Sequence, residues 1–105
     1  MSLNISDIPK KELTKGITGR YVHAENITIG FVNIKKGSIM PAHSHPHEQT
    51  TQVISGKLEM TTDGITKILE PEIITIILSN AVHSAVALTN CEVTDTFWPV
   101  REDYK

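Results

Sequence analysis

Short runs rich in β-branched residues, recurring at intervals of about ten and separated by turn formers, restrict this chain to an all-β sandwich or barrel. The runs expected as strands are Gly19–His23, Ile27–Ile34, Thr50–Ile54, Lys57–Thr61, Ile65–Leu69, Ile73–Leu78, His83–Ala87 and Glu92–Phe97. Between two of them Asp63-Gly64 supplies the positive φ angles of a tight hairpin, and Gly56 turns the preceding pair in the same way. Helix is scarce, and no internal repeat or long linker interrupts the pattern.

A length of 105 residues fits one domain, expected over residues 16–105. Residues 1–15 are polar, carry Pro9 and read as a loose arm or an extra strand lent to a neighbouring subunit. Folding at this size buries roughly 60–70% of the chain's surface, so a bound metal or a second subunit is expected to add stability. Ile73, Ile74, Ile76, Ile77 and Leu78 are apolar on both faces of one strand. Cover on both sides is therefore expected, and a homodimer would provide it.

Ten Lys and Arg against twelve Asp and Glu leave a formal charge of −2 with the basic residues scattered, so nucleic acid is not an expected partner. The start has neither a basic segment nor a long apolar one, and no apolar run is long enough to span a bilayer. A soluble, cytoplasmic protein with no membrane partner is expected. Cys91 is the only cysteine, which excludes an internal disulfide and fits a small buried hydrophobe.

The stretch Gly37-Ser-Ile-Met-Pro-Ala-His43-Ser-His45-Pro-His47-Glu-Gln49 carries the chemistry. In an extended chain His43 and His45 project to one side, and Gln49 shares their parity once the next strand begins. Closure of the sheet into a barrel would bring His83 to the same point. Imidazoles gathered beside an apolar run lose solvation if they point inward, and a shared metal ion satisfies them. His23, without a partner nearby in sequence, and His47, at the turn after Pro46, are expected to lie outside the ligand set.

The run from Gly37 through His43, His45 and Gln49 to Gly56 resembles the first cupin motif, in which two His and a Glu or Gln bind metal. Pro71 to His83 resembles the second, whose final His is the fourth ligand. Glu72, Leu78 and Asn80 stand where that motif usually has Gly, Pro and Gly or Asn, so the turn at Glu72 lacks glycine's freedom at positive φ. The resemblance covers about residues 16 to 101 and implies a double-stranded β-helix, or jelly-roll, barrel. It also implies one divalent transition metal held by His43, His45, Gln49 and His83. Nitrogen and amide oxygen donors suit Ni, Zn, Fe, Mn, Co or Cu, and four neutral ligands would leave the ion its full charge as a Lewis acid.

In the last apolar run, alternation puts Val93, Asp95 and Phe97 on one face and Thr94, Thr96 and Trp98 on the other. Turned inward, Asp95 would be a buried carboxylate near the metal, a candidate general base, with Phe97 as a platform for a substrate ring. The ending Asp95-Thr-Phe97-Trp-Pro-Val-Arg101-Glu-Asp-Tyr104 resembles that of the cupin group that linearises unsaturated galacturonate in pectin degradation. The resemblance implies an active site containing Asp95, Phe97 and Arg101, with Arg101 pairing the carboxylate of an anionic sugar and Arg20 as a second candidate for that role. The expected reaction is opening of a 4,5-unsaturated uronate ring to the linear keto acid. Its rivals are a metal-dependent dioxygenase of a small molecule and a non-catalytic sugar or small-acid binding module.

Overall fold

The computed structural model describes residues 1–105. It contains β1 (Lys11–Thr14), β2 (Ile17–His23), β3 (Thr28–Ile34), β4 (Ile39–His43), β5 (Glu48–Ser55), β6 (Leu58–Thr62), β7 (Ile65–Leu69), β8 (Ile74–Ile77), β9 (His83–Ala87) and β10 (Cys91–Trp98). Two antiparallel sheets result, one in the order β1-β2-β3-β10-β5-β8 and the other β4-β9-β6-β7. They pack around one core drawn from both, including Ile17, Val32, Val53 and Val93 of the first and Leu58, Met60, Leu69 and Ala85 of the second. This is an all-β jelly-roll barrel. No helix is long and apolar enough to cross a membrane.

Register in the larger sheet grades the interior from apolar to polar. Gly19, Val32, Val93 and Val53 lie side by side across β2, β3, β10 and β5. Two residues along each strand, the next inward row is Tyr21, Gly30, Asp95 and Thr51, and the next is His23, Thr28, Phe97 and Gln49. The apolar row is buried in the core, and the next two rows bring Asp95, Thr51 and Gln49 together beside His45. A Cβ on Gly30 would stand 2.6 Å from the Tyr21 ring, so the absent side chain lets that ring lie flat on the sheet beside Asp95.

Two strands escape the sequence pattern. Lys11–Thr14 pairs with β2 of its own chain as the edge of the larger sheet, and its mostly polar residues carry no alternating signal. Ile39–His43 contains Pro41, which is tolerated because β4 is likewise an edge. Between Met40 and His43 the pairing with β9 shifts register, and this irregularity lets both residues line the interior.

The turns follow backbone chemistry. Asp63 and Gly64 have φ of 47° and 80°, as a two-residue hairpin requires. Glu72 has φ 79°, so it occupies the left-handed region without glycine's freedom. Substituting Glu72→Gly is expected to stabilise the fold by about 1 kcal/mol, which for a domain of this size raises the thermal midpoint by roughly 4–8 °C. An unchanged or lower midpoint in calorimetry would contradict strain at this turn.

On β8 the inward Ile77 is fully buried, whereas Ile74 and Ile76 are exposed. Together with Ile65, Ile68 and Leu78 they leave an apolar strip along the adjoining edges β7 and β8 that nothing in the chain covers.

Candidate metal centre and interior cavity

His43 ends β4 and faces His83 at the start of β9 in direct register. Their rings are 4.1 Å apart. His45 lies beyond the strand, in the loop between β4 and β5, so a loop rather than strand alternation delivers it. That loop is clamped by the turn before β9: the Asn80 amide donates to the His45 carbonyl at 2.8 Å and the Ser79 hydroxyl to the Pro46 carbonyl at 2.6 Å. Nitrogen atoms of His43, His45 and His83 all lie within 4.8 Å of one another.

Each of these imidazoles is oriented through its Nδ1 atom. His43 Nδ1 meets the Pro41 carbonyl at 2.7 Å, His45 Nδ1 that of His47 at 2.9 Å and His83 Nδ1 that of Ala81 at 2.9 Å. A carbonyl can only accept, so Nδ1 carries the proton and Nε2 is left with a lone pair. His83 Nε2 is buried with no hydrogen-bond partner. An orphaned buried acceptor is costly unless something electrophilic meets it.

Gln49, at the start of β5, makes the same demand. Its amide NH₂ donates to the Thr51 hydroxyl at 2.9 Å and to Asp95 Oδ1 at 3.2 Å, which turns Oε1 toward His45 Nε2 at 3.0 Å. A neutral His45 whose proton sits on Nδ1 would oppose two lone pairs there. Burial, followed by the Arg101 charge and the neighbouring His83, holds the His45 pKa below its ordinary value, and burial does the same to His83. One divalent cation would resolve both the opposed pair and the orphaned nitrogen, so the donor set fits a transition metal.

His23 and His47 are not part of the three-histidine cluster, although the His47 ring lies 5.5 Å from that of His45 and its Nδ1 is also buried without a partner. His23 bonds the Thr28 hydroxyl, and His47 Nε2 approaches the Val100 carbonyl.

Below the histidines lies a cavity of about 50 Å³ whose wall includes Tyr21, Met40, Asp95, Phe97, Arg101 and Tyr104. Asp95 accepts from the Thr51 hydroxyl at 2.7 Å as well as from Gln49. Part of its surface is accessible, but that part opens onto the cavity rather than bulk water. Desolvation accordingly outweighs the two hydrogen bonds and the Arg101 charge, and pushes the Asp95 carboxyl up to about 6. Arg101 is buried, with its guanidinium centred 4.7 Å from the Phe97 ring and 3.9 Å from the Tyr104 ring. Burial works against its charge, but hydrogen bonding to Asp103 and the charge of that carboxylate prevail and raise its pKa.

Arg20 corrects the sequence reading. It alternates with the inward Gly19 and Tyr21, so it projects from the outer face of β2, where its guanidinium donates to the Ile5 carbonyl at 3.0 Å. It does not reach the cavity. Thr51, Tyr21, Asp103 and Tyr104 were not singled out from the sequence. Only Thr51 left a usable sign there, standing two residues after Gln49 and so on the same face.

The barrel and its inward histidines define the class. This chain belongs to the cupin family, whose cupin domain matches residues 30–97. It is 30% identical over 101 residues to the pectin degradation protein KdgF of Dickeya dadantii (strain 3937), covering 93% of this chain and 92% of that protein. The structure of KdgF from Halomonas sp. superposes with a TM-score of 0.89 at 25% identity, covering 95% of this chain and 94% of the other. An RmlC-like cupin from Shewanella frigidimarina gives the same TM-score at 24% identity over 95% of this chain and 91% of its own, a likeness of fold.

Proposed function

We propose that this cupin is a metal-dependent enzyme that opens 4,5-unsaturated uronate sugars to the linear keto acid. The observation that carries the reading is Asp95, a desolvated carboxylate hydrogen-bonded to Gln49 and lining the same cavity as His43, His83, Phe97 and Arg101. Similarity to pectin degradation proteins over nearly the whole chain supports the substrate class. His43, His45, Gln49 and His83 would hold the metal, which when bound supplies Lewis acidity toward sugar oxygens.

Arg101 would pair with the sugar carboxylate, with Phe97 packed against the ring. Asp95 takes the proton from the anomeric hydroxyl as C1 becomes a carbonyl and the C1–O5 bond breaks. The electron pair passes to the former ring oxygen, giving an enolate at C5. Return of a proton to C4 yields the 5-keto acid, so atoms balance and the step is an isomerisation. A carboxyl pushed up toward neutrality suits taking and returning one proton.

Following the unsaturated absorbance of pectin- or alginate-lyase products with metal-loaded protein tests the reading. Accelerated loss is expected. A rate equal to buffer would discard the proposal, and oxygen uptake with iron bound would favour a dioxygenase instead.

A homodimer belongs to the same proposal. The exposed strip of Ile65, Ile68, Ile74, Ile76 and Leu78 borders two sheet edges, and a second copy placed about a twofold axis could cover the strip and pair an edge. Sedimentation should give twice the chain mass, reverting to a monomer in Ile74→Lys/Ile76→Lys. A wild-type monomer at micromolar concentration would exclude it.

A further inference from the structure

The interior cavity, at about 50 Å³, is well below the roughly 300 Å³ at the small end of ligand pockets. Of the C-terminal turn Glu102–Tyr104, Tyr104 forms part of its wall. The Tyr104 ring packs 4.5 Å from that of Tyr21, and Lys11 Nζ donates to the Tyr104 carbonyl. Outward movement of this turn would enlarge the cavity on the Tyr104 side.

The same turn engages the guanidinium that the proposed reaction requires. Arg101 Nε donates to Asp103 Oδ1 at 2.9 Å and Nη2 to Asp103 Oδ2 at 2.7 Å, the parallel two-bond geometry of a bound carboxylate. The partners differ sharply in exposure: the Arg101 side chain is 7% exposed and that of Asp103 57%. The guanidinium is fixed between two rings and anchored by its backbone amide, which donates to the Thr28 hydroxyl at 2.9 Å. The carboxylate comes from a short surface turn two residues on. A fixed buried fork holding a peripheral carboxylate is a site whose occupant can be exchanged.

We propose that Asp103 is an internal stand-in for the ligand's carboxylate, held by Arg101 in the free protein and displaced when an anionic sugar binds, with Glu102–Tyr104 moving outward to enlarge the cavity. This rests on reading Arg101 as the carboxylate partner. No covalent bond changes; one ion pair replaces another, and the affinity for acids reflects their difference. Asp103 thereby acts as a positioning residue that weakens retention of an acid and shields a buried guanidinium when no ligand is present.

The test measures binding of D-galacturonate and of neutral galactose to the metal-loaded protein by titration calorimetry, in wild type, Asp103→Asn and Asp103→Glu. Loss of an exposed competing carboxylate should tighten galacturonate about fivefold in Asp103→Asn. Galactose should be unaffected, and Asp103→Glu should stay close to wild type. Unchanged or weaker galacturonate binding, equal changes for both sugars, or no galacturonate binding in any of the proteins would overturn the displacement. Galacturonate lacks the 4,5 double bond, so the result is independent of turnover. A selective gain without ring opening would sink the proposed reaction alone, and ring opening without the gain would sink only the role of Asp103.

Discussion

Metal retention is expected to fall by at least about 100-fold in His83→Ala, beyond the 10- to 100-fold typical when only an outer-shell partner of a ligand is lost. His83 stands in register with His43 and presents a buried Nε2 with no partner, so its removal deletes a donor that nothing nearby replaces. Thermal stability gives a second readout. A ligand at about 100 times its dissociation constant stabilises by about 2.7 kcal/mol, and that increment should vanish in the variant. The metal-free variant should not be destabilised in proportion, because the substitution also removes an unsatisfied polar atom, offsetting part of the cavity it leaves. His47→Ala is the control: its Nε2 is turned to the Val100 carbonyl, and metal content should be unchanged. Elemental analysis after gel filtration would separate these outcomes, and a full complement of metal in His83→Ala would remove His83 from the ligand set.

His83–Ala87, buried at alternate residues, was legible because the core imposes its alternation. The edge Ile65–Leu69, buried only at Leu69, was legible from its β-branched residues and the Asp63-Gly64 turn before it. Ile65–Leu69 and His83–Ala87 have the expected bounds, and the remaining expected runs differ by no more than two residues at either end. The edges β1 and β4 were not, since an edge may carry lysine, glutamate or proline without cost to its neighbours. The histidines could be chosen by residue type and spacing, yet the way they converge differs from simple alternation. His45 reaches the cluster from a loop pinned by Ser79 and Asn80, residues far along the chain whose contact no local pattern announces.

The same limit applies to the polar network. That Asp95 shares a face with Val93 and Phe97 follows from a period of two. That it stands opposite Thr51 and beside Gly30 depends on strand order, which places β10 between β3 and β5. Arg20 shows the converse: once its strand begins at Ile17, parity alone turns it outward, and its charge made it a candidate only while the register was open.

Substituting Asp95→Asn is expected to lower kcat for ring opening by about 100- to 10,000-fold, the range supplied by a positioned general base. The substitution is nearly isosteric. An amide oxygen in place of Oδ1 can still accept from the Thr51 hydroxyl and the Gln49 amide, so Gln49 keeps its orientation toward His45. Metal content and melting temperature should therefore stay close to wild type, while the group that receives the anomeric proton is lost. KM should change little, because Arg101, not Asp95, is proposed to hold the sugar carboxylate. The combination separates three cases. A collapse of kcat with metal retained supports Asp95 as the base; loss of metal along with rate would make it a support of Gln49; and an undiminished rate would assign proton transfer to another group while leaving the metal centre untouched.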